Sequence, residues 1–73
     1  MNAYIKIEEV GGYLIDYPSG LNHRVYIDGE EIDEDFIKTI PVEMEKTDTG
    51  WRTKSMMFKE GAENLLELLK KER

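Results

Sequence analysis

His23-Arg24-Val25-Tyr26-Ile27-Asp28-Gly29-Glu30-Glu31-Ile32-Asp33-Glu34-Asp35-Phe36 occupies the middle of this 73-residue chain and decides how the rest is read. Arg24 to Ile27 mixes β-branched and aromatic residues, the composition of a strand. Asp28-Gly29 tolerates positive φ and predicts the tip of a two-residue hairpin turn, with Glu30-Glu31-Ile32 returning as a short strand. Asp33 suits an N-cap, and Glu34 and Asp35 would follow in a helical first turn, where the dipole favours negative charge. Six of the eight residues from Asp28 to Asp35 are acidic, so the same stretch is a concentrated negative ridge.

Downstream, Ile32, Phe36, Ile37 and Ile40 have roughly helical spacing, which predicts an apolar edge tucked under a sheet. Pro41 stops that helix, because the residue before a proline is pushed toward extended conformation. A second hairpin is then predicted from Ile40 to Phe58. Reading Asp48-Thr49-Gly50 as a three-residue loop pairs Thr47 with Trp51, Met44 with Lys54, Val42 with Met56 and Ile40 with Phe58. One face would collect Ile40, Val42, Met44, Met56 and Phe58; the other, mostly polar, Glu43, Glu45, Thr53, Ser55 and Met57. Gly61 to Glu72 reads as the closing helix, with Ala62, Leu65, Leu66 and Leu69 on one stripe and Leu68 widening it.

Upstream, Ala3 to Val10 alternates, with Ile5 and Ile7 on one side. Gly11-Gly12 permits a reversal into a second strand, Tyr13 to Tyr17, in a register that a two-residue loop leaves unsettled. Pro18-Ser19-Gly20 is a turn into the central stretch. The expectation is a single domain over residues 1–73 of the α+β class: a small antiparallel sheet of about four to five strands packed by one C-terminal helix.

A core this small supplies ~3–5 kcal/mol. There is no cysteine, so neither a disulfide nor a thiolate metal site can staple it. The N-terminus lacks a basic segment followed by an apolar run, and no apolar stretch nears the ~20 residues that span a bilayer. A cytoplasmic protein without membrane contact is expected.

The net charge of −6 is unevenly placed: residues 1–45 hold eleven acidic and three basic side chains, residues 46–73 five and seven. Direct nucleic-acid binding is disfavoured by the first part, because that affinity depends on cations neutralising phosphates. A basic protein partner suits the field.

Catalysis is not expected. His23, the only histidine, comes with no orienting partner or nucleophile in a recognisable motif, and Ser19 and Ser55 lie in a turn and on a strand among cations. A calcium loop needs oxygen ligands and a glycine at fixed offsets; Asp28-Gly29-Glu30-Glu31-Ile32-Asp33 misplaces the glycine and puts Ile32 among the ligands. No metal and no cofactor is therefore expected.

What remains is an interaction surface. The acids Asp28, Glu30, Glu31, Asp33, Glu34 and Asp35, flanked by Tyr26, Tyr17 and Tyr13, combine a charged rim with aromatic anchors, as protein interfaces do. The expected function is a non-catalytic protein-binding module: a small acidic inhibitor that docks on a basic or nucleic-acid-binding protein, in the manner of inhibitors encoded by phages and other mobile elements. That is a class analogy. The alternative is a structural subunit that completes its core by self-association, a homo-oligomer.

Overall fold

The computed structural model describes residues 4–10, 22–29 and 32–72. Among them the elements follow in the order β1 (Tyr4–Glu9), β2 (His23–Asp28), α1 (Glu34–Lys38), β3 (Met44–Lys46), β4 (Gly50–Thr53) and α2 (Lys59–Glu72). The strands form one four-stranded antiparallel sheet in the order β1-β2-β4-β3, and α2 packs against β1 and β2. This is the small α+β fold expected from the sequence.

β2 is an interior strand, which explains why Val25 and Ile27 are wholly buried. It pairs on one side with β1, from Tyr4↔Asp28 to Glu9↔His23, and on the other with β4, from Tyr26↔Arg52 to Asp28↔Gly50. The strand and turns read at residues 11–20 lie outside the described residues; the partner seen for β1 is β2. The hairpin tip at Asp28-Gly29 is a correction. Asp28 is paired on both sides, Gly29 N–H donates to the Thr49 carbonyl at 2.8 Å, and Ile32 is not in a strand. Glu30 and Glu31 lie outside the described residues. With β1 and β4 on its two edges, β2 has no edge open to a returning strand.

α1 forms as its cap signal predicts: Asp33 is extended at φ −68°, ψ 121°, and its side chain accepts from Asp35 N–H at 2.9 Å. Ile37 and Ile40 are buried, with Ile32 and Phe36 packed beside them. α2 begins two residues earlier than the sequence suggests, with the Phe58 carbonyl accepting from Ala62 N–H at 2.9 Å. Ala62, Leu65 and Leu69 close the core over Val25 and Ile27. Leu68 does not widen that stripe; it is 40% exposed.

The second hairpin exists, but its register is shifted by one residue. Met44 pairs with Thr53, Glu45 with Arg52 and Lys46 with Trp51. The loop is two residues, Asp48-Thr49, closed by Thr47 N–H to the Gly50 carbonyl at 2.8 Å, while the Thr47 hydroxyl accepts from Gly50 N–H at 3.0 Å. A one-residue slip exchanges the faces of a strand. Trp51 packs on the core and Thr53 is 1% exposed, while Arg52 turns outward; Phe58, expected inside, is 48% exposed. The physical reason is charge. The expected register puts Arg52 and Lys54 on the same face as Met56, and burying such cations unpaired costs far more than exposing one aromatic.

A second displacement follows. From Tyr26↔Arg52 to the bridge His23↔Met57, β2 advances three residues and its neighbour five. The two extra residues form a bulge over 53–56, of the kind that bends a strand and redirects its side chains. The Thr53 hydroxyl replaces the missing ladder acceptor, taking Val25 N–H at 3.2 Å, and Met57 turns inward to pack on the core.

Candidate functional site

Among the described residues the sheet has one face under α2 and the other left open, and the registers place residues on that open face in rows across the strands. One row runs Lys6, Tyr26, Arg52, Glu45. Lys6 lies over the Tyr26 ring at 5.5 Å, and Arg52, the cross-strand partner of Tyr26, pairs with Glu45. Those partners, Tyr26 first, raise the Arg52 pKa. Lys6 also reaches diagonally to Asp28 at 3.3 Å, and that hydrogen bond with its attached charge raises the Lys6 pKa. Further along, Lys54 stands 3.9 Å from Glu43. The open face therefore neutralises its own charge.

Asp28, the first acid of the ridge, belongs to this internal pairing. It is 9% exposed, and its second oxygen accepts from the Thr49 hydroxyl at 3.1 Å. The carboxylate ties β1 and the β3–β4 loop to the end of β2, which is a structural role. Asp33 is exposed and occupied as the cap of α1. Glu34 and Asp35 are exposed, and among the described residues neither has a basic side chain within 4.0 Å. Tyr26 is half-buried under Lys6. Glu30, Glu31, Tyr13 and Tyr17 lie outside the described residues. His23 is half-buried and bridges Met57 through its backbone.

One feature was missed from the sequence. Met56, Met57 and Phe58 leave the bulge and meet the first turns of α2, and with Glu60, Gly61 and Asn64 they line an open cleft of about 580 Å³. The signal was present as an apolar triplet, Met56-Met57-Phe58, but an alternating strand pattern assigned its members to opposite faces. Only the bulge brings all three to one cleft.

Among the described residues no three His, Asp or Glu side chains converge as a metal site would require, and no helix is long and apolar enough to cross a membrane. No protein-family model, curated protein or solved structure matches the chain.

Proposed function

We propose that this chain is a non-catalytic protein-binding module of the cytoplasm, docking on a basic protein surface through the acidic segment Glu30, Glu31, Asp33, Glu34 and Asp35. The observation that carries the reading is the division of charge. The acids of the sheet face are matched by Lys6, Arg52 and Lys54, whereas residues 30–38 hold five acids and one lysine, net −4 of the chain's −6. Among the described residues Asp33, Glu34 and Asp35 have no basic side chain within 4.0 Å, and negative charge held in this way is available to a cationic partner and steers its approach. Within this reading the partner class is a nucleic-acid-binding protein whose cationic site the segment occupies, because such sites are built for dense negative charge.

The test is capture from the native host by the wild-type chain and by a triple variant, Glu30→Gln, Glu31→Gln and Glu34→Gln, at low and physiological salt. The same partner held by wild type and lost by the triple variant, most sharply at low salt, supports the reading. Equal capture at both salts overturns it. The alternative subunit reading draws on exposed Phe58 and Leu68. Light scattering separates the two: a stable dimer or larger form favours self-association, a monomer the docking module.

A further inference from the structure

β1 stands at the edge of the sheet, and among the described residues no strand pairs with its outer side. It runs six residues in unbroken register with β2, without proline, whereas the opposite edge strand, β3, is three residues long. A long regular edge presents unpaired backbone groups to another chain.

The register settles which groups those are. Val10 N–H donates to the Asn22 carbonyl at 2.8 Å, one step beyond the pair Glu9↔His23. Bonded and non-bonded positions alternate along an antiparallel pair, so Tyr4, Lys6, Glu8 and Val10 bond toward β2. Ile5, Ile7 and Glu9 turn their N–H and C=O groups outward.

The side chains choose the partner. Ile5 and Ile7 pack on the core, while Lys6 lies over Tyr26 on the open face. Alternation puts Tyr4, Glu8 and Val10 on that face beside Lys6. Tyr4 is 58% exposed, and Glu8 is exposed with no basic side chain of the described residues within 4.0 Å. A second copy arriving antiparallel must set like faces together, which leaves a short series of registers. Centring the contact on Lys6 opposes two lysines, and centring it on Glu8 opposes two glutamates; both arrangements destabilise. Centring it on Ile7 sets Lys6 opposite Glu8 of the second copy and Tyr4 opposite its Val10, each twice. Ile7 then exchanges both backbone bonds with its own counterpart, and Ile5 exchanges both with Glu9, so every outward donor of β1 is used. Registers centred farther along overlap fewer residues. The strand is complementary to its own reverse.

We infer that β1 is a self-pairing edge: two copies of this chain join β1 to β1, antiparallel about Ile7, and make their four-stranded sheets continuous. The contact is one strand wide and falls short of the ~800 Å² per partner of a stable interface, so it is reversible, with a dissociation constant on the order of 0.1 mM. The inference goes beyond the proposed function and uses a different surface, because the acidic segment lies outside β1. At low micromolar concentration the chain is a monomer.

The test is a dilution series of the full chain from about 1 mM to about 10 µM, read by sedimentation and by amide hydrogen exchange. The expected result is a dimer at the upper end, with the Ile5, Ile7 and Glu9 amides protected there and fast-exchanging on dilution. Glu8→Lys sets like charges opposite each other at both ends of the contact and should weaken dimerisation about tenfold or more, with an unchanged monomer spectrum. The chain has no cysteine, so single ones report the register. Ile7→Cys meets its counterpart across the two-fold axis at the ~5.5 Å Cα separation that suits a disulfide, and should cross-link faster than Glu8→Cys. Amides protected even at the lowest concentration would mean that the chain itself covers this edge, and would overturn the inference. So would amides still exchanging fast at the highest concentration, unchanged dimerisation of Glu8→Lys, or faster cross-linking of Glu8→Cys. A dimer that survives dilution with those three amides exposed belongs to the self-associating subunit and counts against β1 pairing. Failure of the acidic segment leaves a different trace: the triple Gln variant would keep its captured partner while β1 still pairs.

Discussion

Asp28 and Asp35 stand at the two ends of one acidic run, and the fold treats them in opposite ways. Asp28 is 9% exposed, ion-paired with Lys6 and hydrogen-bonded by Thr49 at the junction of β1, β2 and the β3–β4 loop. Asp35 is exposed, its backbone N–H donates to the cap Asp33, and among the described residues its carboxylate has no basic side chain within 4.0 Å. The difference teaches that acidic density in a sequence is not one property. A carboxylate at the end of an interior strand is drawn into the structure's own bonding, whereas one on a short surface helix keeps its charge for solvent or for a partner.

The sharpest way to break the contrast is to attack the junction at Asp28's strand partner. A Cβ at Gly50 would lie 2.0 Å from the Ile27 carbonyl oxygen and 3.0 Å from Asp28 Cα, both backbone atoms that cannot rotate away. Gly50→Ala should cost at least ~3 kcal/mol, most of what a chain of this size holds. Urea unfolding measures it, and a near-wild-type midpoint would show that β2 and β4 separate easily.

Asp28→Ala comes next. It removes the acceptor of the Thr49 hydroxyl and the partner of Lys6, and should destabilise by ~1–3 kcal/mol. Asn at the same position keeps the Thr49 hydrogen bond and should restore part of the loss. Asp33→Ala, at the other end of the run, leaves Asp35 N–H without its acceptor and should cost ~1 kcal/mol. A larger loss from Asp33→Ala than from Asp28→Ala would reverse the comparison.

The contrast also has a signature in pH. Because Asp28 raises the Lys6 pKa above its ordinary 10.5, the ion pair contributes its full stability below that value and loses it as pH rises through the folded-state pKa. The stability advantage of wild type over Lys6→Met should therefore be flat at neutral pH and shrink above pH 10.5. An advantage that persists in strong alkali would mean that Lys6 serves by packing over Tyr26 and not by charge. The smallest effect is expected at the free end. Glu34→Gln with Asp35→Asn should leave the melting midpoint within about 0.5 kcal/mol of wild type, and a marked loss would place those carboxylates in the fold after all.

Where the sequence could be read, the signals were local. The Asp33 cap, the stop at Pro41 and the leucine spacing of α2 act within a turn or two of the chain, so α1 and α2 were legible with their buried residues Ile37, Ala62, Leu65 and Leu69. The β-branched run at Val25 to Ile27 marked the central strand for the same reason. The acidic segment is likewise a matter of composition.

The errors fell where distant segments choose each other. Whether Asp28-Gly29 is a hairpin tip depends on which strands occupy the edges of β2, and both edges are taken by strands remote in sequence. Whether Met44 faces Thr53 or Lys54 depends on a one-residue difference in loop length, settled by keeping Arg52 out of the core. The cleft of Met56, Met57, Phe58 and Gly61 depends on a bulge in which Val25 N–H donates to the Thr53 hydroxyl and Met57 N–H to the His23 carbonyl. By itself the sequence determined the helices, the central strand and the surplus of negative charge, because short-range sterics and periodicity encode them. Only the tertiary structure decided strand order, register and which carboxylates are paired, because those are set by competition among contacts far apart along the chain.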